Sequence, residues 1–240
     1  RAEQFMREGG PHMIVTSDTS AVVRAQDDEE LRTIINEADL ATVDGQGVVV
    51  CARLLNLPIA QRVAGVDMMQ RLCEIAARLS QPVALLGAAP GVAEQAGRNL
   101  QEACPDLDIV YIHDGYFTED EDAQIVADIG AARPMVLFVA MGIPKQEKWI
   151  KAHMEELNVA VSMGVGGSLD VLAGRVQRAP AWMRSCGLEW LYRTFREPRR
   201  LPRLAALPRM LMMTLHELAT SPDPATGLMD QHAIGGDEHP

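Results

Sequence analysis

Aromatic side chains are scarce, at 4% of 240 residues, so any core has to be packed from aliphatic groups. Cysteine is scarce too. The four cysteines (Cys51, Cys73, Cys104 and Cys186) form no CxxC pair and share no regular spacing, which excludes a disulfide framework and a zinc knuckle and fits a reducing compartment. No apolar run reaches membrane-spanning length, and the start lacks the basic, apolar, small-residue order of a secretory signal. The chain begins at Arg1 rather than Met, which suggests that its native start is missing. No GxGxxG follows a strand pattern and no GxxxxGK[ST] occurs, which disfavours a dinucleotide-dependent dehydrogenase and a P-loop. The six histidines have neither HxxxH nor HExxH spacing, and the DLD at 106–108 opens a strand rather than ending one. No metal site and no cofactor is expected.

What is present is an acidic chain with a basic end. The formal net charge is −11, which argues against a nucleic-acid partner held by the overall field. Between Arg178 and Arg209, however, eight arginines face two glutamates, so this stretch carries +6 and the remainder −17. Hydrophobic residues make up 48% and charged residues 23%, the balance of a globular chain rather than a disordered one. From Met13 to Met163, short aliphatic runs alternate with longer helical patterns, and Gly, Pro, Asp or Asn mark each junction. The predicted strands are 13–17, 40–44, 83–87, 108–113, 135–141 and 159–164. Helices are expected near 27–37, 46–55, 66–79, 91–103, 119–132 and 144–156. Continuous apolar strands separated by helices predict an α/β fold: a doubly wound, mostly parallel, Rossmann-like sheet.

After Gly174 the strand runs stop and Pro180, Pro198, Pro202 and Pro208 punctuate the chain. The expected division is a catalytic α/β domain over 1–180, a basic amphipathic helical appendage over 181–220, and a disordered tail over 221–240. The appendage, with helices at 187–197 and 203–219, has three readings: an amphipathic pair packed on the body, a nucleic-acid patch, or an element lying on an anionic membrane surface. Interleaved Trp182, Trp190, Tyr192, Phe195 and Leu211 favour the membrane surface.

Ligands of open parallel sheets gather at the carboxyl ends of strands, so those loops hold the candidate chemistry. LLGAAPGVAEQAG resembles a phosphate turn, although an ordinary strand-to-helix connection looks the same. Asp44, ahead of Gly45 and Gly47, suits a helix N-cap and a general base alike. Lys145, Gln146 and Glu147 open a helix after a very apolar strand. They read either as a solvated helix start or as polar groups for a phosphate or sugar. Asp170, after the Gly164 to Gly167 turn, can cap a helix or accept hydrogen bonds from a nucleoside. Were the ligand a diphosphate held without a metal, it would need cations, and Arg62 and the C-terminal arginines are the ones available.

The ordered set of T-x-D after the first strand, ADLATVDGQGVV, RVAGVDMM, GYF, GIPKQEKWI, GVGGSLDVLAGRVQRAP and GLEWLYRTFREPRR, from Thr16 to Arg203, resembles the WecG/TagA/CpsF glycosyltransferase family. The resemblance implies an inverting, metal-independent transfer of an N-acetylmannosamine-type sugar from a UDP-sugar donor to an undecaprenyl-diphosphate-linked saccharide. It places the protein in the cytoplasm, peripheral on the inner face of the bacterial membrane, with homo-oligomerisation open. It implies Asp44 as catalytic base, and Thr16, Arg62 and Gln146 as donor-site residues. Tyr116 and Asp170 would hold the uridine, and Arg193, Arg200 and Arg203 the acceptor diphosphate. Two positions depart from the family pattern: Asp18 stands where Asn is usual and Leu169 where Phe is usual. Asp18 adds a second carboxylate near Asp44 in the donor site, whose repulsion should raise a pKa there. The rival reading is a non-catalytic nucleotide-binding module recruited to membranes by its basic end.

Overall fold

Residues Val83–Gly87 and Val136–Ala140 are wholly apolar or glycine, and every one of them is buried. Strands of that kind cannot face water on either side, and they lie side by side in the interior of the sheet. The computed structural model describes residues 1–59, 62–180, 182–183, 186, 188–196 and 204–220. Six strands run β1 (His12–Ser17), β2 (Leu40–Val43), β3 (Val83–Gly87), β4 (Ile109–His113), β5 (Val136–Ala140) and β6 (Val161–Gly164). They form one sheet in the order β2-β1-β6-β5-β3-β4, with every pairing parallel. The strand β2 is only partly covered because it stands at the sheet edge, whereas the equally short β6 lies inside the sheet and is wholly buried.

The period of two along each strand sorts the core into two layers. On one face Ile14, Leu85, Phe138 and Met163 pack against α1 (Ala2–Glu8), α5 (Gly65–Arg78), α6 (Val92–Ala103) and α9 (Ser168–Leu172). On the other, Val15, Leu86, Leu137 and Val139 meet α3 (Glu29–Glu37), α7 (Glu119–Ala132) and α8 (Lys145–Leu157). Each fully buried aliphatic side chain contributes about 1.5–3 kcal/mol, which makes these two layers the main source of stability.

A third, smaller cluster lies near the carboxyl end of β2. Val23 of α2 (Thr19–Arg24) and Val48 and Cys51 of α4 (Gln46–Leu54) pack with Ala206 and Met210 of the last helix, here α11 (Ala206–Thr220). An exposed pair, Arg209 Nη1 and Nη2 on the two oxygens of Asp27 at 2.6 and 2.7 Å, closes the contact. Between them, α10 (Glu189–Arg196) lies beside the same strand ends. Arg200, Arg203 and the tail 221–240, on which expectations were placed, lie outside the described residues.

All six predicted strands form, within two residues at their ends. Among the described residues, three helices lie outside the expected ones: α1, α2 and α9. Each has seven residues or fewer, too short for a 3.6-residue period to register. For α2 the signal was present in Asp18, whose Oδ1 accepts the Ala21 N–H at 2.8 Å as a helix N-cap.

Candidate active site

Parallel pairing of β1 with β2 and β6, and of β6 with β5, brings four carboxyl-end loops together. Thr16 lies in β1 opposite Thr42, and its hydroxyl donates to the Gly164 carbonyl at the end of β6, 3.3 Å away. Asp44 extends the ladder by one bond, its N–H donating to Ser17 O at 3.0 Å, which fixes where its side chain leaves the backbone. That side chain does not cap its own helix, for Gly45 occupies the N-cap of α4. Instead Asp44 Oδ2 accepts the Gly65 N–H at 3.1 Å, the first residue of α5, while Oδ1 faces Arg62 Nε at 3.5 Å. Gly65 has no side chain to intervene: where its Cβ would stand, Asp44 Oδ2, Thr16 Oγ1 and Ser168 Oγ lie 3.4, 3.6 and 3.8 Å away.

Burial pushes the Asp44 carboxyl above the ordinary aspartate range. The Gly65 N–H and the Arg62 charge oppose that rise, and the charges of Asp18 and Glu189 add to it. The repulsion expected from Asp18 is therefore present, but loss of solvent is the larger cause. A carboxylate raised toward neutrality is a better proton acceptor than a fully solvated one.

Gln146 is wholly buried, not part of a solvated helix start. Its Oε1 accepts two backbone N–H groups at 3.0 Å each, from Gly142 after β5 and Gly166 after β6. Its Nε2 donates to Glu147 Oε1 at 2.7 Å. Because Nε2 is committed to a carboxylate, the amide oxygen has to face the two loops, and one side chain clamps them. Glu147 is equally buried, and burial pushes its carboxyl up against the opposing Gln146 hydrogen bond. A Cβ on Gly164 would stand 2.6 Å from Gln146 Nε2 and 3.0 Å from Glu147 Oε1, so only glycine permits this approach. Lys145 alone of the three matches the solvated reading, exposed with its Nζ 5.3 Å from the centre of the Phe117 ring.

Thr16, Asp18, Asp44, Gln146, Ser168 and Arg193 line one cavity of about 150 Å³. Asp18, Ser20 and Arg193 also line a second cavity, of about 120 Å³, together with Trp190, Leu204 and Leu207 from the C-terminal segment. A polar chamber thus adjoins a partly apolar one, with Arg193 at the junction. Arg62 stands behind Asp44 rather than in the chamber wall. Tyr116 and Asp170 are not brought to either cavity: Tyr116 follows β4 at the opposite sheet edge and is 76% exposed, and Asp170 is half-buried within α9. The GAAPG turn after β3 lines neither.

Several residues at the site were missed from sequence. Ser168 stands inside the glycine-rich GVGGSLD segment, two positions before Asp170. Arg24 lines the polar chamber and donates through Nε to Ser20 Oγ at 3.4 Å. Glu189 pairs with Arg62; its only signal was its place as one of two acids in the arginine-rich stretch. Among the described residues no group of three or more His, Cys, Asp or Glu could hold a metal ion, and no helix is long and apolar enough to cross a membrane.

Comparison with known proteins fits this arrangement. The model of the glycosyl transferase WecG/TagA/CpsF family matches residues 1–223. Two relatives from Staphylococcus aureus, strains MW2 and COL, are each 38% identical over 195 residues, covering 81% of this chain and 76% of theirs. Both are named N-acetylglucosaminyldiphosphoundecaprenol N-acetyl-beta-D-mannosaminyltransferase. With a family model matching residues 1–223, relatives 38% identical over most of their length and an all-parallel sheet, this protein belongs to the WecG/TagA/CpsF family of glycosyltransferases.

Proposed function

We propose that this glycosyltransferase moves an N-acetylmannosamine-type sugar from a UDP-sugar to an undecaprenyl-diphosphate-linked N-acetylglucosamine saccharide, inverting the anomeric centre without a metal ion. The observation that carries the reading is Asp44, held by the Gly65 N–H on the edge of a polar cavity and raised by burial. The acceptor hydroxyl oxygen bonds the anomeric carbon as the bond from that carbon to the diphosphate oxygen breaks. The hydroxyl proton goes to an Asp44 oxygen, and the bonding pair leaves with UDP. Attack from the face opposite the leaving group inverts the centre.

Charge developing on the diphosphate needs preorganised cations and N–H groups. Arg24 and Arg193 in the cavity wall and Arg62 behind Asp44 supply guanidinium groups for this role. Thr16 and Gln146 shape the sugar end, Gln146 by fixing the loops at Gly142 and Gly166. In the order β2-β1-β6-β5-β3-β4, four strand spacings separate Thr16 from the end of β4, about 19 Å. A nucleotide-sugar stretched along that edge would set its sugar at Asp44 and its uridine toward Asp170 and Tyr116. The acceptor then enters from the second cavity, where Trp190, Leu204 and Leu207 offer apolar surface beside Arg193. Arg200 and Arg203 complete the acceptor diphosphate site in this reading.

The acceptor named for the relatives is lipid-linked, which calls for contact with a bilayer; in the proposed reading this is its cytoplasmic face. In α11, Ala206, Met210 and Thr214 are buried, while Leu211, Met212, Leu215 and Leu218 are exposed. Trp182 and Phe195 are exposed as well. Apolar side chains among arginines suit the interface of an anionic membrane.

The decisive test presents a panel of UDP-sugars, in EDTA, with a short-chain polyprenyl-diphosphate N-acetylglucosamine acceptor. Product from the N-acetylmannosamine donor is expected, with a β linkage if the donor is α. No product from any UDP-sugar overturns the reading.

A further inference from the structure

Arg62 does not approach Asp44 unassisted. Its Nη2 donates to Glu189 Oε2 at 2.6 Å, and Glu189 is a buried residue at the start of α10, 127 positions further along the chain. The other Glu189 oxygen, Oε1, faces Arg178 Nε at 3.8 Å. Arg178 in turn donates through Nη1 and Nη2 to both oxygens of Asp67 in the first turn of α5, at 2.5 and 3.0 Å. The result is an alternating chain, Asp44, Arg62, Glu189, Arg178, Asp67, with three carboxylates and two guanidinium groups. Both of its ends are anchored on the sheet and α5, and its middle belongs to the C-terminal segment. Arg62 and Glu189 are largely withdrawn from water, so neither charge can be left alone without a large penalty.

We propose that Glu189 is a positioning residue for the transfer: it holds Arg62 at the single contact with Asp44 seen here, and the same bond docks α10 against the site. With Glu189 in place, the Arg62 fork is divided between two carboxylates. Without it, the fork is free to close on Asp44 alone. Docking of the C-terminal segment and the basicity of Asp44 are then one linked equilibrium. This inference rests on the reading of Asp44 as the base.

The groups that face Asp44 set the direction of the effect. They are Arg62 from the loop before α5, Asp18 at the head of α2, Glu189 from α10 and Arg178 from the segment after α9. Arg24 and Arg193 share its cavity. Replacing Glu189 by Gln removes a negative charge that raises the Asp44 pKa and releases a guanidinium that lowers it. Both changes act in the same direction, so the acid limb of kcat/KM moves to lower pH and the base weakens.

The test compares wild type, Glu189→Gln, Glu189→Asp and Asp67→Asn. We expect Glu189→Gln to lower kcat by about tenfold, with donor KM changed by less than about threefold, and to shift the acid limb downward by about half a pH unit or more. Glu189→Asp, which keeps the charge, restores part of that shift. Asp67→Asn leaves Arg178 to Glu189 alone and draws it from Arg62, giving a smaller shift in the same direction; it carries the test if Glu189→Gln does not fold. Hydrogen exchange reads docking without turnover: amides of 189–196 should exchange about tenfold faster in Glu189→Gln and in Arg62→Gln. A folded Glu189→Gln enzyme with wild-type kcat and an unmoved acid limb overturns the proposal, as does unchanged exchange in both variants. A wild type that transfers no sugar refutes the functional reading instead, and the exchange comparison then decides the docking claim alone.

Discussion

Replacing Gln146 by Ala removes the acceptor of the Gly142 and Gly166 N–H groups and the donor to Glu147 Oε1 in one step. Each buried polar group left without a partner costs about 1–3 kcal/mol. Three such groups would total roughly 3–9 kcal/mol, but the loops border an open cavity, and water entering it repairs part of the loss. About 3 kcal/mol remains as the expected net destabilisation. For a chain of this size that corresponds to a fall in Tm of roughly 6–12 °C, measurable by calorimetry at pH 7. The companion Gln146→Glu separates hydrogen bonding from volume. Its one oxygen keeps both loop N–H groups, while the other meets Glu147 Oε1 where the amide nitrogen stood at 2.7 Å. Two carboxyls at that distance must share a proton, so the folded pair binds protons more tightly than the unfolded chain does. Gln146→Glu should therefore approach wild type at acid pH and lose stability as pH rises past the unfolded carboxylate range, about 4. A Gln146→Ala protein melting within about 1 °C of wild type would refute the clamp, since that margin corresponds to less than about 0.5 kcal/mol.

Three further outcomes follow from the same geometry. Asp44 holds its proton in the folded state over a range where the unfolded chain has lost it, so it lowers stability as pH rises through that range. Asp44→Asn should therefore melt no lower than wild type at pH 7, with any advantage vanishing below about pH 4; a lower Tm at every pH would contradict the direction assigned. A Cβ on Gly47 would stand 2.6 Å from Thr19 Oγ1 and 3.1 Å from Leu207 Cδ2. Gly47→Ala should cost about 1–3 kcal/mol and speed amide exchange in α11, whereas unchanged exchange would show that this helix is not seated there. In flotation with anionic vesicles, wild type should rise with the lipid at low salt and Leu211→Asp/Leu215→Asp should stay behind. Wild type remaining with the soluble fraction would sink the membrane reading.

The strands were legible because a sheet covered on both faces requires continuous apolar runs, and VALLG and VLFVA offer nothing else. Helices of five to seven residues carry too little period to be seen, which is why α9 and α1 escaped notice. At the site, strand ends pointed to Thr16, Asp44 and Gln146, all of which border one cavity. Their partners were not legible. Ser168, after β6, comes beside Gly65 and the ends of β1 and β2 only because the strand order sets β6 next to β1. Gly65 comes beside Asp44 because the chain after α4 folds back on the end of β2, where the Val63 N–H donates to Val43 O; no local spacing encodes either return. Glu147 reads as a charged helix start, and its burial follows from the crossing of α8 over β6 rather than from its neighbours in sequence. The Glu189–Arg62 pair joins residues far apart in sequence, and the arginine excess around Glu189 masks it.

The most direct measurement of the account is UDP-sugar affinity and transfer rate in Asp44→Asn, both in EDTA. Donor binding should stay within a few-fold of wild type, while transfer to the polyprenyl-diphosphate acceptor falls by about 10²–10⁴. Transfer at the wild-type rate would remove Asp44 as the proton acceptor and with it the mechanism.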